Sequence, residues 1–122
     1  MESLIDKLAS AIATAEGYFS PGELPQRNHN PGDLRAAPWL KTAKIVGGFW
    51  VADSPAMGIA GLYHQIALNI ARGFTLRQLI AVWAPPSDNN DTETYLRETK
   101  RRVGVEDENV PLWTYLNVEK IP

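Results

Sequence analysis

The stretch Leu4-Ile5-Asp6-Lys7-Leu8-Ala9-Ser10-Ala11-Ile12-Ala13-Thr14-Ala15-Glu16-Gly17 decides the fold class. Leu4, Ile5, Leu8, Ile12 and Ala15 recur at the spacing of one face of an α-helix. Ser3 with Asp6 supplies a start, and Gly17 a stop. Downstream, the span from Tyr18 to Pro38 carries four prolines, two glycines and several Asn and Asp residues. It reads as a long ordered polar loop, and loops of that length commonly carry function.

Further along, Ile45-Val46, Gly47-Gly48 and Phe49-Trp50-Val51 within Lys44 to Ala52 predict a small hairpin. Ser54-Pro55 predicts a cap followed by proline at the first helical position. Ile59, Leu62, Tyr63, Ile66 and Ile70 then form an apolar stripe that ends near Gly73. Thr75 with Gln78 makes a capping box for a short helix with Leu76, Leu79, Ile80 and Trp83 inward. Pro85-Pro86 stops it. Asp91 or Thr92 caps a further helix in which Tyr95, Leu96, Thr99 and Val103 share a face and Gly104 ends the pattern. Leu112, Trp113, Tyr115 and Leu116 make a tail apolar enough to dock on a core. The fold class expected is mainly α, with about four to six helices, a long polar loop and at most a small β-hairpin, in a single domain over residues 1–122.

Composition narrows the function. Hydrophobic residues make up 44% and charged residues 21%, as in an ordinary globular chain. The absence of cysteine excludes disulfides, thiolate metal sites and a cysteine nucleophile. Met1 to Lys7 holds two acids and no long apolar run, so no signal peptide is expected there. No run approaches the roughly 20 apolar residues of a membrane span. A formal net charge of -2 argues against nonspecific nucleic-acid binding. The cluster Lys100-Arg101-Arg102 lies among acids on a helix and reads as a solvated face.

Glu16 is the most informative residue. It stands at the end of an otherwise apolar helix, where the partial negative charge of the helix terminus disfavours a carboxylate. Ala and Tyr neighbours add to an environment that raises a carboxyl pKa, the condition for a general acid near neutral pH. The plain alternative is a solvated glutamate at a frayed helix end. A second feature is Gln26-Arg27-Asn28-His29-Asn30-Pro31-Gly32-Asp33-Leu34-Arg35. Pro31-Gly32 suits a type II turn, and the Asn and Asp residues suit Asx turns. Alternatively the amides, His29 and Arg35 line a sugar-binding cleft beside Glu16.

The run Asp88-Asn89-Asn90-Asp91-Thr92 lacks the glycine and the final acid of a calcium loop. Asn90-Asp91-Thr92 also matches a glycosylation acceptor, which means little without a secretory signal. His29 and His64 have no partners at metal-ligand spacing, so a zinc site is not expected, and the glycan cleavage expected below uses neither a metal nor an organic cofactor. Trp39 and Trp50 flank the loop and can stack on sugar faces, whereas Trp83 and Trp113 lie in apolar patterns that predict core.

Taken in order, these pieces resemble the small lysozyme-like proteins of bacteriophages and prophages, which are similar to lytic transglycosylases and to virion-associated wall-degrading proteins. The pieces are Ala-Glu-Gly, Gln-Arg-Asn-His-Asn-Pro-Gly-Asp-Leu-Arg, Phe49 to Gly58, Trp-Ala-Pro-Pro and Asn-Asp-Thr-x-x-Tyr, running from about Ile5 to Leu116. The resemblance implies an α+β lysozyme-like fold and Glu16 as catalytic acid. It implies that Asn30 and Arg35 shape the cleft or its loop. It also implies that Asn90, Thr92 and Tyr95 form a polar and aromatic wall opposite. Where relatives often read Asn-Pro-Gly-Asn-Leu-Arg, this chain has Asp33, which leaves that position either structural or a second acid.

The expected activity is cleavage of peptidoglycan between N-acetylmuramic acid and N-acetylglucosamine. A muramidase needs a second carboxylate, for which Glu23, Asp33 and Asp53 are candidates. A lytic transglycosylase needs only Glu16, first as acid and then as base. Trp50 is the expected stacking residue for sugar. Two rivals remain open. One is a noncatalytic phage virion protein that binds wall glycan or other virion proteins. The other is a generic helical interaction domain in which Glu16 is incidental. The expected setting is synthesis in a bacterial cytoplasm and action on the wall after release, as by an endolysin, or from a virion.

Overall fold

The computed structural model describes residues 2–40, 43–85 and 91–116. Among these the chain is mainly helical, with five α-helices and one two-stranded antiparallel sheet. The helices are α1 (Leu4–Ala15), α2 (Leu24–Arg27), α3 (Pro55–Ala71), α4 (Leu76–Trp83) and α5 (Thr92–Val103). The strands are β1 (Lys44–Val46) and β2 (Phe49–Val51), and a short 3-10 helix covers Leu112–Tyr115. No helix among the described residues is long and apolar enough to cross a membrane.

The chain divides into two compact units, one made of residues up to Ala11 and from Ile66 onward, the other of Ile12–Gln65. In the first unit, the start of α1 is closed by reciprocal bonds. Asp6 N–H donates to Ser3 Oγ at 3.1 Å while Ser3 N–H donates to the Asp6 carboxylate at 3.1 Å. Thr75 and Gln78 close the start of α4 in the same way. Asp91 caps α5 by accepting from Thr94 N–H at 3.0 Å, and Gly104 ends it in the left-handed region at φ 74°. Leu76, Leu79, Ile80, Leu96 and Val103 are buried, apolar positions that the helical spacing sets aside, and Leu112 of the tail and Val105 are buried as well.

Three apolar expectations fail. Ala15, in the last turn of α1, is exposed. Trp113 is 55% exposed, because the 3-10 helix turns Leu112 inward and leaves its neighbour outside. Ile59 is 43% exposed, since on α3 the buried face runs through Gly58, Gly61 and Leu62 instead. The basic cluster behaves as a solvated face, with Arg101 and Arg102 exposed in the last turn of α5.

In the second unit, β1 and β2 pair in the register Lys44↔Val51, Ile45↔Trp50 and Val46↔Phe49, turning at Gly47-Gly48. Both glycines have positive φ, as a two-residue hairpin requires. Ser54 caps α3, its Oγ accepting from Met57 N–H at 3.2 Å, and Pro55 occupies the first helical position. The long polar loop is not wholly irregular. Pro25 near its start supports a single helical turn, α2, which the four prolines hid from a periodicity argument.

Candidate functional site

Glu16 closes α1. Gly17 N–H donates to Thr14 O at 3.2 Å and Tyr18 N–H to Ala13 O at 3.0 Å, with Gly17 at φ 85°. This pair of bonds is a Schellman motif, and it makes Glu16 the C-cap residue. Its own N–H still donates to Ile12 O at 2.9 Å. The residue is half-buried at the negative end of the helix dipole. The chain then turns back. Ser20 N–H donates to Gly17 O at 3.0 Å and Glu23 N–H to Ser20 O at 3.2 Å. A Cβ built on Gly17 would lie 3.9 Å from both Cβ and Cγ of Glu23, so the stem of Glu23 lies against the turn that carries Glu16. Glu23 is exposed and precedes α2 without a side-chain capping bond.

The loop after α2 is organised by one buried amide. Asn30 has no exposed surface. Its Nδ2 donates to Leu34 O and Trp50 O, both at 3.0 Å, and its Oδ1 accepts from Leu34 N–H at 2.9 Å. Asn30 therefore shapes the loop, and the expectation that it touches substrate is corrected: both its amide hydrogens are spent on the backbone. The turn itself runs Asn30-Pro31-Gly32-Asp33, closed by Asp33 N–H to Asn30 O at 2.9 Å. The expected type II turn is also corrected. Gly32 does not carry a positive φ; His29 and Asp33 do, at 52° and 48°. What glycine gives at 32 is space, since an added Cβ would lie 2.9 Å from Leu62 Cδ1 and that side chain would have to shift.

Asp33 is the chemically unusual member of this loop. Its Oδ1 is buried with no hydrogen-bond partner. Loss of water raises its pKa, and the nearby Arg35 charge offsets part of that rise. Arg35 is exposed, bridges to Phe49 on β2, and holds its guanidinium 4.8 Å from the Phe49 ring centre.

Trp50 is only 5% exposed, so an open indole face for stacking is not available there. Its ring is seated against Gly61 of α3, where an added Cβ would fall 2.3 Å from Cζ3. Trp39 leans on it edge to face, with centroids 6.2 Å apart. Trp39 also lies 4.5 Å from the His64 ring and donates from Nε1 to Gln65 Oε1 at 3.0 Å. These side chains border a cavity of about 500 Å³ that Lys44 and Asp53 also line, whereas Glu16 does not. Trp39 is a sugar-stacking candidate already in the sequence, whereas His64 is considered there only as a metal ligand. The signal for the place of His64 is the helical spacing Met57, Ala60, Gly61, His64 on α3.

The remaining expected residues lie in the other unit. Thr92 is buried, and its hydroxyl donates to Ala84 O at 2.6 Å, so it ties α5 to the end of α4 and does not face solvent. That corrects its expected contact with substrate. Tyr95 is half-buried on α5, and Asn90 falls outside the described residues. Among the described residues no three His, Cys, Asp or Glu side chains come together as metal ligands would. No protein-family model, no characterised protein and no solved structure matches the chain.

Proposed function

We propose that this protein is lysozyme-like and cleaves the glycan strands of bacterial peptidoglycan, with Glu16 as general acid. The observation that carries the proposal is the position of Glu16: half-buried and C-capping α1, with the stem of Glu23 lying 3.9 Å from a Cβ built on the next residue, Gly17. Glu16 protonates the oxygen of the bond between N-acetylmuramic acid and N-acetylglucosamine, and the departing sugar leaves a cationic ring. Two completions balance the charge. In a transglycosylase, the muramic sixth hydroxyl attacks the anomeric carbon and Glu16 takes back its proton, giving a 1,6-anhydro end. In a muramidase, water attacks and Glu23, the acid beside Gly17, accepts its proton. Asp33 is the more buried alternative for that role, and its loss of water raises its pKa.

Arg35, exposed beside the loop turn, supplies a cation for an acetamido or lactyl oxygen of the substrate. Such an enzyme works from a phage virion or as an endolysin, and its partners are wall glycan and other virion proteins. A noncatalytic, glycan-binding virion protein is the second reading, favoured by a cavity whose described lining does not include Glu16. Turbidity clearing of purified wall separates the two. Wild type should clear it and Glu16→Gln should not, whereas equal clearing by both removes Glu16 from the chemistry.

A further inference from the structure

We infer that the cavity bordered by Trp39, Asp53 and His64 is a noncatalytic binding site for one pyranose ring of a neutral saccharide. The inference shares the substrate class proposed above but not its catalytic residue.

Three features of the cavity point to that ligand. The first is a fixed apolar platform. Trp39 is held by a T-shaped contact with Trp50, by the ring of His64 and by its Nε1–H bond to Gln65. Its polar tip is spent within the protein, so what it offers the cavity it lines is apolar ring surface. An indole held this way loses little side-chain entropy on binding, which favours stacking on the C–H face of a sugar ring. The second is the rim, where Asp53, Lys44 and His64 are all exposed side chains. Together they accept and donate hydrogen bonds, and the acid and the amine cancel in charge. A ligand with alternating hydroxyl donors and acceptors and no net charge matches that rim. A phosphate-bearing ligand meets the Asp53 carboxylate, and a purely apolar one leaves the rim unused. The third is size: about 500 Å³ is ample for one or two hexose rings and small for a folded partner.

The sequence supports a built site. Gly61 has no room for a side chain because the Trp50 ring occupies that space, and Trp50 seated there makes its T-shaped contact with Trp39.

The test is tryptophan fluorescence and calorimetric titration with N-acetylglucosamine oligomers, using wild type, Trp39→Ala, Asp53→Asn and Glu16→Gln. Asp53 is exposed, so its variant keeps the fold even if Trp39→Ala does not. Saturable binding by wild type and Glu16→Gln, weakened about tenfold or more by Trp39→Ala and measurably by Asp53→Asn, supports the site. No binding by folded wild type overturns it. So does binding that Asp53→Asn and Trp39→Ala leave intact while Glu16→Gln abolishes it, a result that would leave the catalytic proposal standing. Wall cleavage without any of these binding effects likewise overturns the site alone.

Discussion

The side-chain amide of Asn30 donates to the main-chain carbonyl of Trp50 at 3.0 Å, joining residues twenty apart in sequence and fastening the polar loop to β2. Two further bonds from the same side chain fix Leu34, whose carbonyl in turn accepts from Trp50 N–H at 2.9 Å. One fully buried polar side chain thus makes three of the bonds that hold the loop bearing Asp33 and Arg35.

Truncating that residue should be costly. Asn30→Ala removes three buried hydrogen bonds, among them the one that Leu34 N–H donates, an expected loss of about 2–4 kcal/mol. Urea unfolding measures it directly. A loss within the usual scatter of surface substitutions would mean that the loop is held by something else.

The small residues of α3 make a second prediction. A Cβ at Gly58 would fall 1.6 Å from the carbonyl oxygen of His29, which is backbone and cannot swing aside. Gly58→Ala should cost roughly 2–4 kcal/mol through forced displacement of the loop. Gly47→Ala, where nothing lies within 4 Å but φ is 59°, should cost only about 1 kcal/mol. Thermal unfolding of both variants ranks them, and the reverse order would contradict the packing described.

Much of this was legible in the residues themselves. Ser3 with Asp6, Ser54-Pro55, Thr75 with Gln78 and Gly104 are local signals whose bonds span at most one helical turn, so they survive any tertiary context. Gly47-Gly48 marks the hairpin for the same reason. What escaped depends on distant neighbours. Gly32 looked like a residue chosen for positive φ, but it is chosen for the proximity of Leu62, thirty positions away. Trp50 looked like a sugar platform until Gly61 and Trp39 were seen to cover it. The candidate site was legible at Glu16, whose place at a helix end follows from Gly17 alone. The cavity beside Trp39 was not, because it needs the loop, the hairpin and α3 together.

Asp33 gives a pH prediction whose sign follows from burial. Its pKa is raised in the folded state, so between the unfolded and folded values the native protein binds more protons than the unfolded chain. Stability from this group is fully present below the unfolded pKa and falls as pH rises through the folded one. Asp33→Asn, which also tolerates the positive φ, should remove that dependence. Its stability advantage over wild type should therefore grow with pH across the acid range and level off above the folded pKa. Urea midpoints measured as a function of pH check this, and a difference that stays flat would contradict it.

The most direct test of the central claim is mass spectrometry of soluble fragments released from purified peptidoglycan by wild type and by Glu16→Gln. Muropeptides from wild type alone are the expected result, with anhydro ends marking a transglycosylase and reducing ends a muramidase that uses a second acid such as Glu23. Equal release by folded Glu16→Gln, or no release by folded wild type, would contradict the assignment of Glu16 as the acid that cuts the strand.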